Sequence, residues 1–287
     1  MLSYRSAAKI NLYLRVEGLL PGGYHELTSI MQSVSLWDTL KVDFNAGDFS
    51  LTVPGYDLGP TADNIVAKIW RLLKERFSLP GEARIIIEKH IPVGAGLAGG
   101  SGNGAAMLHA VNDYFHLGLA TADLARLGGE VGSDIPFCVA GGTALAQGRG
   151  EKLSSLPPLP SCPILLANSG FHVATAAVFR EFDALPLLTN GSEQDILAGL
   201  DQGNNVRVAQ SLYNDLERVT LPHYPQLTSL KDFWRGQGLY PLMSGSGPAV
   251  FALAPHSSPA ELAELVRETK TETFLVYPVN QGVEKLS

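Results

Sequence analysis

The clearest chemistry in the chain lies in a glycine-rich segment, residues 92–106, which reads PVGAGLAGGSGNGAA. Its six glycines lack the Cβ atoms that would hold a ligand away from the backbone, and they permit positive φ where the chain curls. Ser101 and Asn103 are favourable N-cap residues, and apolar residues follow at helical spacing from Met107 to Phe115. Because the start of a helix offers free N–H groups and a positive dipole end, we expect this segment to bind a polyphosphate.

Two better-known glycine motifs fit this segment less well. A Gly-x-Gly-x-x-Gly pattern is present, but a dinucleotide-binding fold needs its strand to run straight into the first glycine, and residues 89–92 intervene after the strand-like residues 83–88. A P-loop needs Gly-Lys followed by Ser or Thr, and the sequence has no Gly-Lys pair. The structural alternative is a tight helix start with small residues for packing.

Two further polar positions could act on a bound phosphate. Polar and apolar residues alternate over 9–16, which places Lys9 and Asn11 side by side on one face of a strand. Asp134 lies in a tight connection, GSDIP at 132–136. Each has an ordinary structural interpretation as well, since a lone lysine on a strand is usually solvated and an aspartate before Ile-Pro usually caps a turn.

These residues would be positioned by strands and helices. The two kinds of element do not alternate strictly along the chain, and this pattern favours an α+β fold. Strands are predicted at 9–16, 40–44, 83–88, 137–146, 163–167, 249–254 and 273–279. Helices are predicted from a cap at Thr61 or Asp63, at 103–116, from Thr121 to a break at Gly132, at 174–182, 193–200 and 204–217, and from Ser258. A second glycine turn, MSGSGP, occupies 243–248.

Composition indicates an ordinary globular chain of two domains. The sequence has 287 residues, of which 45% are hydrophobic and 17% charged, and four prolines between Ser154 and Pro163 mark a boundary between domains at 1–155 and 156–287. The net charge of −7 argues against nucleic acid or an anionic membrane as the main partner. The two cysteines form no Cys-x-x-Cys pair and the N-terminus lacks the pattern of a signal peptide, so we expect a cytoplasmic protein. The histidine spacing gives no protein-bound metal site.

Motifs spread in order along the chain resemble the GHMP kinase superfamily. The glycine segment matches its Pro-x-x-x-Gly-Leu-x-Gly-Gly-Ser loop. The other matching motifs are AKINL at 8–12, GYH at 23–25, GSDIP at 132–136, NDLE at 214–217 and GSG at 245–247. AKINL together with GYH is similar to the branch of the superfamily that phosphorylates 4-diphosphocytidyl-2-C-methyl-D-erythritol.

The resemblance implies a two-domain α+β GHMP kinase fold. An N-terminal ATP-binding domain like domain 2 of ribosomal protein S5 and a ferredoxin-like, substrate-binding C-terminal domain would enclose the active site in the cleft between them. It also implies transfer of the γ-phosphate of ATP, with Mg²⁺, to the 2-hydroxyl of the methylerythritol unit in the non-mevalonate pathway of isoprenoid biosynthesis. Asp134 would accept the proton of that hydroxyl, with Lys9 as its catalytic partner, which suits a reaction that needs alignment and charge neutralisation.

The resemblance assigns the remaining contacts residue by residue. Those to ATP and its phosphates fall on Pro92, Val93, Gly94, Ala95, Gly96, Leu97, Ala98, Gly99, Gly100, Ser101, Gly102 and Asn103, with Asn64 and Lys89 near the adenine and ribose. Those to the substrate fall on Asn11, Tyr24, His25, Thr175, Phe179, Gly245 and Ser246. Tyr24 would offer a ring on which the cytosine can stack.

The chain departs from the superfamily pattern at several positions. In the loop, Ala98 replaces a usual glycine, and Gly102 and Gly104 stand where serine and alanine are common. Gly102 removes the usual hydroxyl near magnesium and leaves Ser101 or water to serve. Outside the loop, the departures are Leu20 and Gly22 before Tyr24, and Arg180 in place of a lysine.

Three other functions compete with this interpretation. Another GHMP kinase acting on mevalonate or homoserine is opposed by the GYH segment. A non-catalytic nucleotide- or metabolite-binding protein on the same fold is opposed by the retention of both Lys9 and Asp134. A nucleic-acid module is opposed by the negative charge. The sequence does not fix the oligomeric state.

Overall fold

The computed structural model describes residues 1–187 and 192–287. Its strands in chain order are β1 (Leu2–Leu19), β2 (His25–Ala46), β3 (Ser50–Thr52), β4 (Glu82–Glu88), β5 (Thr143–Gly148), β6 (Lys152–Ser155), β7 (Ile164–Asn168), β8 (Tyr213–Asn214), β9 (Tyr240–Met243), β10 (Val250–Leu253), β11 (Glu272–Val276) and β12 (Val283–Lys285). Its helices are α1 (Ile65–Phe77), α2 (Gly99–Tyr114), α3 (Thr121–Gly129), α4 (Ile135–Ala140), α5 (Thr175–Phe182), α6 (Glu193–Asp201), α7 (Asn205–Gln210), α8 (Glu217–His223), α9 (Pro225–Gly236) and α10 (Pro259–Glu268), with a 3-10 turn at Thr61–Asp63. Among these described helices, none combines the length and apolar character that crossing a bilayer requires.

The first sheet is built around the long antiparallel hairpin of β1 and β2. The register between the two strands shifts on either side of Lys9, once between Ala7 and Ala8 and again between Asn11 and Tyr13. Such irregularities bend a strand and re-aim its side chains. Lys9 and Asn11 are both buried, so the solvated lysine that an isolated strand would present is not what the fold contains.

Eight strands complete this sheet, and helices cover one face of it. The main path runs β12-β1-β2-β4-β3, with β5 and β6 added at β2 and β8 paired in parallel with β1. Buried side chains of α1 and α2, among them Ile69, Trp70 and Met107, pack with Leu40 and Ile85 of the sheet. This packing fixes the start of α2, and with it the glycine segment, against the sheet.

The second sheet has four antiparallel strands in the order β11-β7-β10-β9. Taken in chain order these are the strands of a β-α-β-β-α-β unit, which is the ferredoxin-like arrangement that we expected for the second domain. One buried cluster joins the two sheets, since it contains Ile10 and Ile30 of the first and Ile164 and Phe251 of the second. The C-terminal strand β12 also returns to pair with β1.

The predicted helix at 103–116 begins earlier, at Gly99, and this prediction was wrong at its start. The N-cap is Ala98 in the left-handed conformation, and the Gly102 N–H already donates to the Ala98 carbonyl at 2.8 Å. Ser101 and Asn103 therefore lie inside the helix rather than capping it. The Asn103 amide instead donates to Asp38, a tertiary contact that a cap preference does not reveal.

The strand predicted over 137–146 was also wrong in its first half. Residues 135–140 form the short helix α4, and Pro136 lies in its first turn. A backbone N–H in the first turn has no acceptor within the helix, so proline, which has no N–H, costs no hydrogen bond there. Gly141 and Gly142, both with positive φ, end the helix, and β5 begins at Thr143. A short run of buried apolar residues fits a helix or a strand equally well by periodicity.

The helix predicted over 204–217 is divided into α7, β8 and the start of α8. The backbone of β8 pairs with β1, and the Asn214 side chain donates to the carbonyls of Met243 and Gly245, both at 2.8 Å. These contacts join distant parts of the chain and override the local helical pattern. Sequence analysis also missed α9, β9 and β12.

Candidate active site

A cavity of about 910 Å³ lies between the first sheet and the elements of the second half of the chain. It collects ten of the residues that the sequence predicts for catalysis and binding, namely Lys9, Asn11, Tyr24, His25, Gly96, Asp134, Thr175, Phe179, Gly245 and Ser246. These residues come from β1, the β1–β2 turn, the start of β2, the glycine segment, the N-cap of α4, α5 and the second glycine turn. The fold therefore brings together motifs that are distant along the sequence.

Lys9 and Asp134 face each other across one side of this cavity. Lys9 Nζ lies 4.0 Å from Asp134 Oδ2, and the lysine side chain is only 6% exposed against 35% for the aspartate. Lys9 Nζ also donates to Asn11 Oδ1 at 2.8 Å, and Asn11 Nδ2 donates to Ser29 Oγ at 2.8 Å. A buried ammonium held by an amide is already oriented before a ligand binds, which is the arrangement that stabilises developing negative charge.

The carboxylate of Asp134 is available to a ligand. Asp134 is the N-cap residue of α4, yet among the described residues its side chain accepts no capping hydrogen bond from that helix. The capping role that the sequence alone would suggest is therefore not filled. Nearby Cys138 is buried, and its burial raises the pKa of the thiol, with the negative charge of Asp134 raising it further and Lys9 lowering it. This thiol therefore stays protonated at neutral pH.

The glycine segment winds through left-handed conformations into α2. Gly94, Gly96 and Ala98 have φ values of 69°, 79° and 55°. A Cβ at Gly96 would lie 2.5 Å from the Ser244 carbonyl oxygen, so only glycine fits where the two glycine turns meet. The first N–H groups of α2 have no carbonyl partner one turn earlier within the helix, and free N–H groups at a helix start are the kind that bind anions.

A buried carboxylate that sequence analysis missed anchors the glycine segment. Asp38 is fully buried, and its Oδ1 accepts from the backbone N–H groups of His90 and Ile91 at 2.8 and 2.9 Å. Its Oδ2 accepts from Asn103 Nδ2 at 3.0 Å and pairs with Lys89. One feature of the sequence could have indicated that Asp38 is buried. It falls on the same face of its strand as the apolar residues 40, 42 and 44.

Two residues predicted near the adenine and ribose are not among the residues that line this cavity. Asn64 caps α1, with its Oδ1 accepting from the Val66 N–H at 2.9 Å. The Lys89 side chain is 4% exposed and is held by Asp38, so it supports the glycine segment from beneath. Within the glycine segment, Gly96 is the residue that lines the cavity.

Aromatic side chains gather at another part of the cavity wall. The His25 ring stacks on Phe179 with centroids 4.6 Å apart, and the Arg149 guanidinium lies 4.9 Å from the centre of the Tyr24 ring. His25 Nε2 is 2.6 Å from Asp183 Oδ1. Arg149 and Asp183 line the cavity and were not predicted. No short motif marked them, because their roles arise from neighbours on other elements.

Metal-ligating side chains do not cluster: residues 1–187 and 192–287 contain no group of three or more His, Cys, Asp or Glu side chains that could hold an ion. On the cavity wall, Thr175 Oγ1 and Ser246 Oγ are hydrogen-bonded at 2.8 Å. That bond joins α5 to the second glycine turn.

Comparison with known proteins places this geometry in a family. The GHMP kinases N terminal domain matches residues 64–142, and the GHMP kinases C terminal domain matches residues 196–269. A 4-diphosphocytidyl-2-C-methyl-D-erythritol kinase of Moorella thermoacetica is 41% identical over 280 residues, covering 96% of this chain and 98% of that protein. The chain belongs to the 4-diphosphocytidyl-2-C-methyl-D-erythritol kinase family. A second family member, from Gloeobacter violaceus, is 40% identical and covers 97% of this chain.

Solved structures agree with the fold of this kinase family. A crystal structure of 4-(cytidine 5'-diphospho)-2C-methyl-D-erythritol kinase superposes with a TM-score of 0.80 at 32% identity, covering 96% of this chain and 98% of that one. The mevalonate kinase of Methanococcus jannaschii superposes with a TM-score of 0.69 at 16% identity, which shows a shared fold alone. The predicted resemblance to GHMP kinases and the α+β two-domain fold are both confirmed, and the chain is an ATP-dependent kinase of this family.

Proposed function

We propose that this chain transfers the γ-phosphate of ATP to the 2-hydroxyl of 4-diphosphocytidyl-2-C-methyl-D-erythritol. The products are the 2-phosphate and ADP, in the non-mevalonate pathway of isoprenoid precursor synthesis. The observation that carries the proposal is the pair formed by Lys9 and Asp134, 4.0 Å apart, in one cavity with the glycine segment and an aromatic cluster. Family membership over nearly the full chain supports the same reaction.

The roles of the two charged residues follow from the chemistry of phosphoryl transfer. The transition state is loose and spreads negative charge over the transferred oxygens, so the enzyme mainly aligns the reactants and neutralises charge. Lys9, held by Asn11, would face the transferred phosphoryl group. Asp134 would align the acceptor hydroxyl and take its proton as the new P–O bond forms and the bond to ADP breaks.

ATP and Mg²⁺ belong to this proposal as the cosubstrate and its ion. The N–H groups at the start of α2 would hold the phosphates, with residues 92–103 forming the cradle. With ATP bound, Mg²⁺ would supply neutralisation of the charge on the phosphate oxygens. Asp134 and Ser101 supply protein oxygens of the type that it prefers. A serine at Gly102 would be crowded here, because its Cβ would lie 3.1 Å from Ser6 Oγ.

The cytidine end of the substrate fits the aromatic part of the cavity. Nucleobases stack on aromatic side chains, and Tyr24, His25 and Phe179 are the aromatic residues that line the wall. Asn11, Thr175, Gly245 and Ser246 would contact the substrate between that wall and the catalytic pair. A mevalonate or homoserine kinase needs no such base-binding surface, so this cluster argues against the rival small-alcohol substrates.

The domain division and location complete the proposal. The two family domains match on either side of residue 155, which supports an N-terminal ATP-binding unit (1–155) and a C-terminal substrate-binding unit (156–287), although β8 and β12 pair with the first sheet. A cytoplasmic location is supported by two cysteines, Cys138 and Cys162, that are free and buried.

The test is ADP release from Mg-ATP by the purified protein with each of four conditions: the cytidylyl compound, mevalonate, homoserine and no acceptor. Release with the cytidylyl compound alone is expected. Asp134→Asn should keep nucleotide binding and lower kcat by about 10²–10⁴-fold, because it keeps the size and removes the proton acceptor. Turnover with another alcohol instead would refute the substrate, and near-normal turnover by Asp134→Asn would refute the role of that residue.

A further inference from the structure

A crossing segment, residues 277–282, carries the chain from the second sheet back to the first and passes α4 on the way. It follows β11 of the second sheet and leads into β12, which pairs with β1 of the first. Within it, the Val279 N–H donates to the Ser33 carbonyl on β2 at 3.0 Å, and the Gly282 carbonyl accepts from the Ala7 N–H on β1 at 2.8 Å. The segment is therefore fixed to the first sheet before and after the point where it touches α4.

Gly282 meets the backbone of α4 with no room for a side chain. A Cβ at Gly282 would lie 1.9 Å from the Cys138 carbonyl oxygen. In the opposite direction, a Cβ at Gly141, the C-cap residue of α4, would lie 2.0 Å from the Gly282 nitrogen. Both obstacles are backbone atoms, so no side-chain rotation can relieve the overlap. Any substitution at Gly282 must therefore move the crossing segment or α4.

The position of α4 sets the position of Asp134. The helix has six residues, Ile135–Ala140, and Asp134 is its N-cap. A helix of this length spans only about 9 Å. The Cys138 N–H also donates to the Asp134 carbonyl at 3.1 Å, which joins the contacted residue directly to the N-cap. Relief of a 1.9 Å contact needs a shift of about 1 Å, and a displacement of that size can lower turnover about 10²-fold.

The same glycine also contacts the strand of the other charged residue. The Ala7 N–H that donates to Gly282 lies two positions before Lys9 on β1. The Lys9 Nζ atom is 4.0 Å from Asp134 Oδ2. Gly282 thus joins the two elements that carry this pair, since it is hydrogen-bonded to β1 and packed without a gap on α4.

We propose that Gly282 is a positioning residue, which sets the spacing between Lys9 and Asp134 by joining β1 to α4. The inference rests on the proposed function, which gives that pair its role in phosphoryl transfer. Gly282 itself touches none of the reacting atoms. Because the crossing segment begins at the end of β11, the spacing of the pair is also tied to the second sheet.

Alkylation of Cys138 measures the packing of α4 without any turnover. In Gly282→Ala, we expect iodoacetamide to label Cys138 in the folded protein about tenfold faster than in wild type, because the added methyl group loosens α4 locally. Mass spectrometry follows the labelling. Cys162 is also buried and free, and its unchanged rate would show that the chain as a whole has not opened.

The neighbouring strand β12 offers a matched control. Glu284, two residues after Gly282, accepts from Arg5 Nε on β1 at 2.7 Å. Glu284→Ala removes this bond between the same two stretches of chain and adds no atom against α4. Both thiols should react in Glu284→Ala as they do in wild type, and thermal melting confirms that each variant is folded.

Kinetics separate positioning from a merely structural role. Gly282→Ala should lower kcat about 10–100-fold and change KM for ATP by less than about twofold, whereas Glu284→Ala should match wild type. In an Asp134→Asn background, Gly282→Ala should lower the remaining kcat by less than about twofold, because the group that it displaces no longer acts. A structural role would lower kcat equally in both backgrounds.

A chain that ends at Gly282 loosens the same segment without crowding α4, and it should show the same kinetic pattern if Gly282→Ala does not fold. An unchanged rate at Cys138 in Gly282→Ala, an equal rise at Cys162, or an equal loss of kcat in both backgrounds would overturn the inference. Because labelling needs no turnover, faster labelling of Cys138 in a protein that does not phosphorylate the cytidylyl compound would refute the proposed function and leave this inference standing.

Discussion

Replacing Asp38 by asparagine keeps the shape of the side chain and removes its charge, which tests how firmly the buried network holds the glycine segment. Lys89 is 4% exposed and Asp38 is fully buried. Removing one partner of such a pair leaves an uncompensated charge and costs about 3–5 kcal/mol. The asparagine oxygen can still accept from the His90 and Ile91 N–H groups, so their hydrogen bonds add little to the loss. We expect the free energy of unfolding to fall by about 3–5 kcal/mol.

Urea unfolding followed by circular dichroism measures this loss, and the KM for ATP reports on the glycine segment. Asp43→Asn is the matched control, since Asp43 lies on the same strand but its carboxylate accepts a hydrogen bond from the N–H of the exposed Asn45. It should cost less than about 1 kcal/mol. The double variant Asp38→Asn, Lys89→Met removes both charges and should recover at least about half of the loss.

The reasoning fails in either of two ways. If Asp38→Asn costs no more than Asp43→Asn, the buried pair contributes nothing specific. If the double variant is as unstable as the sum of the single variants, the loss does not come from an unpaired Lys89 charge. A raised KM for ATP in Asp38→Asn, with folded protein confirmed by circular dichroism, is the expected sign that the network also positions the loop.

Three further predictions concern other positions in the fold. Gly102→Ser, which restores the residue common in the superfamily, should destabilise the fold by about 1–3 kcal/mol in urea unfolding, because its Cβ would lie 3.1 Å from Ser6 Oγ; a stable variant would contradict this. Burial raises the pKa of both Cys138 and Cys162, so neither thiol should react with iodoacetamide at pH 7 until urea unfolds the chain, as mass spectrometry would show. Burial lowers the pKa of His109, so the unfolded chain binds its proton first and stability is lost as pH falls from about 6.5 through the lower folded pKa. His109→Gln should reduce the fall in the free energy of unfolding by up to about 1.4 kcal/mol per pH unit. Urea unfolding at pH 7 and pH 5 measures this, and an unchanged slope would assign the fall to other groups.

Short-range patterns in the sequence determined the parts of the protein that depend on near neighbours. The left-handed turns need glycine at positions such as Gly96, and the periodicity of α1, α5 and α10 reports which face is apolar. The motifs and their order resemble those of the superfamily, and that resemblance identified it. It also assigned the catalytic roles to Lys9 and Asp134, before their separation was known.

Tertiary structure alone decided which side chains meet. Asp38 contacts Lys89, 51 positions away in the sequence, and His25 contacts Asp183, 158 positions away. Over such separations no periodic pattern in the sequence predicts which residues are in contact. The same long-range packing converts residues 137–140 from a predicted strand into α4 and divides the helix predicted at 204–217 around β8. Local propensities for helix or strand differ by only about 1 kcal/mol per residue, whereas burial against distant partners and hydrogen bonding with them contribute several kcal/mol. The distant contacts therefore decide the structure wherever the two conflict.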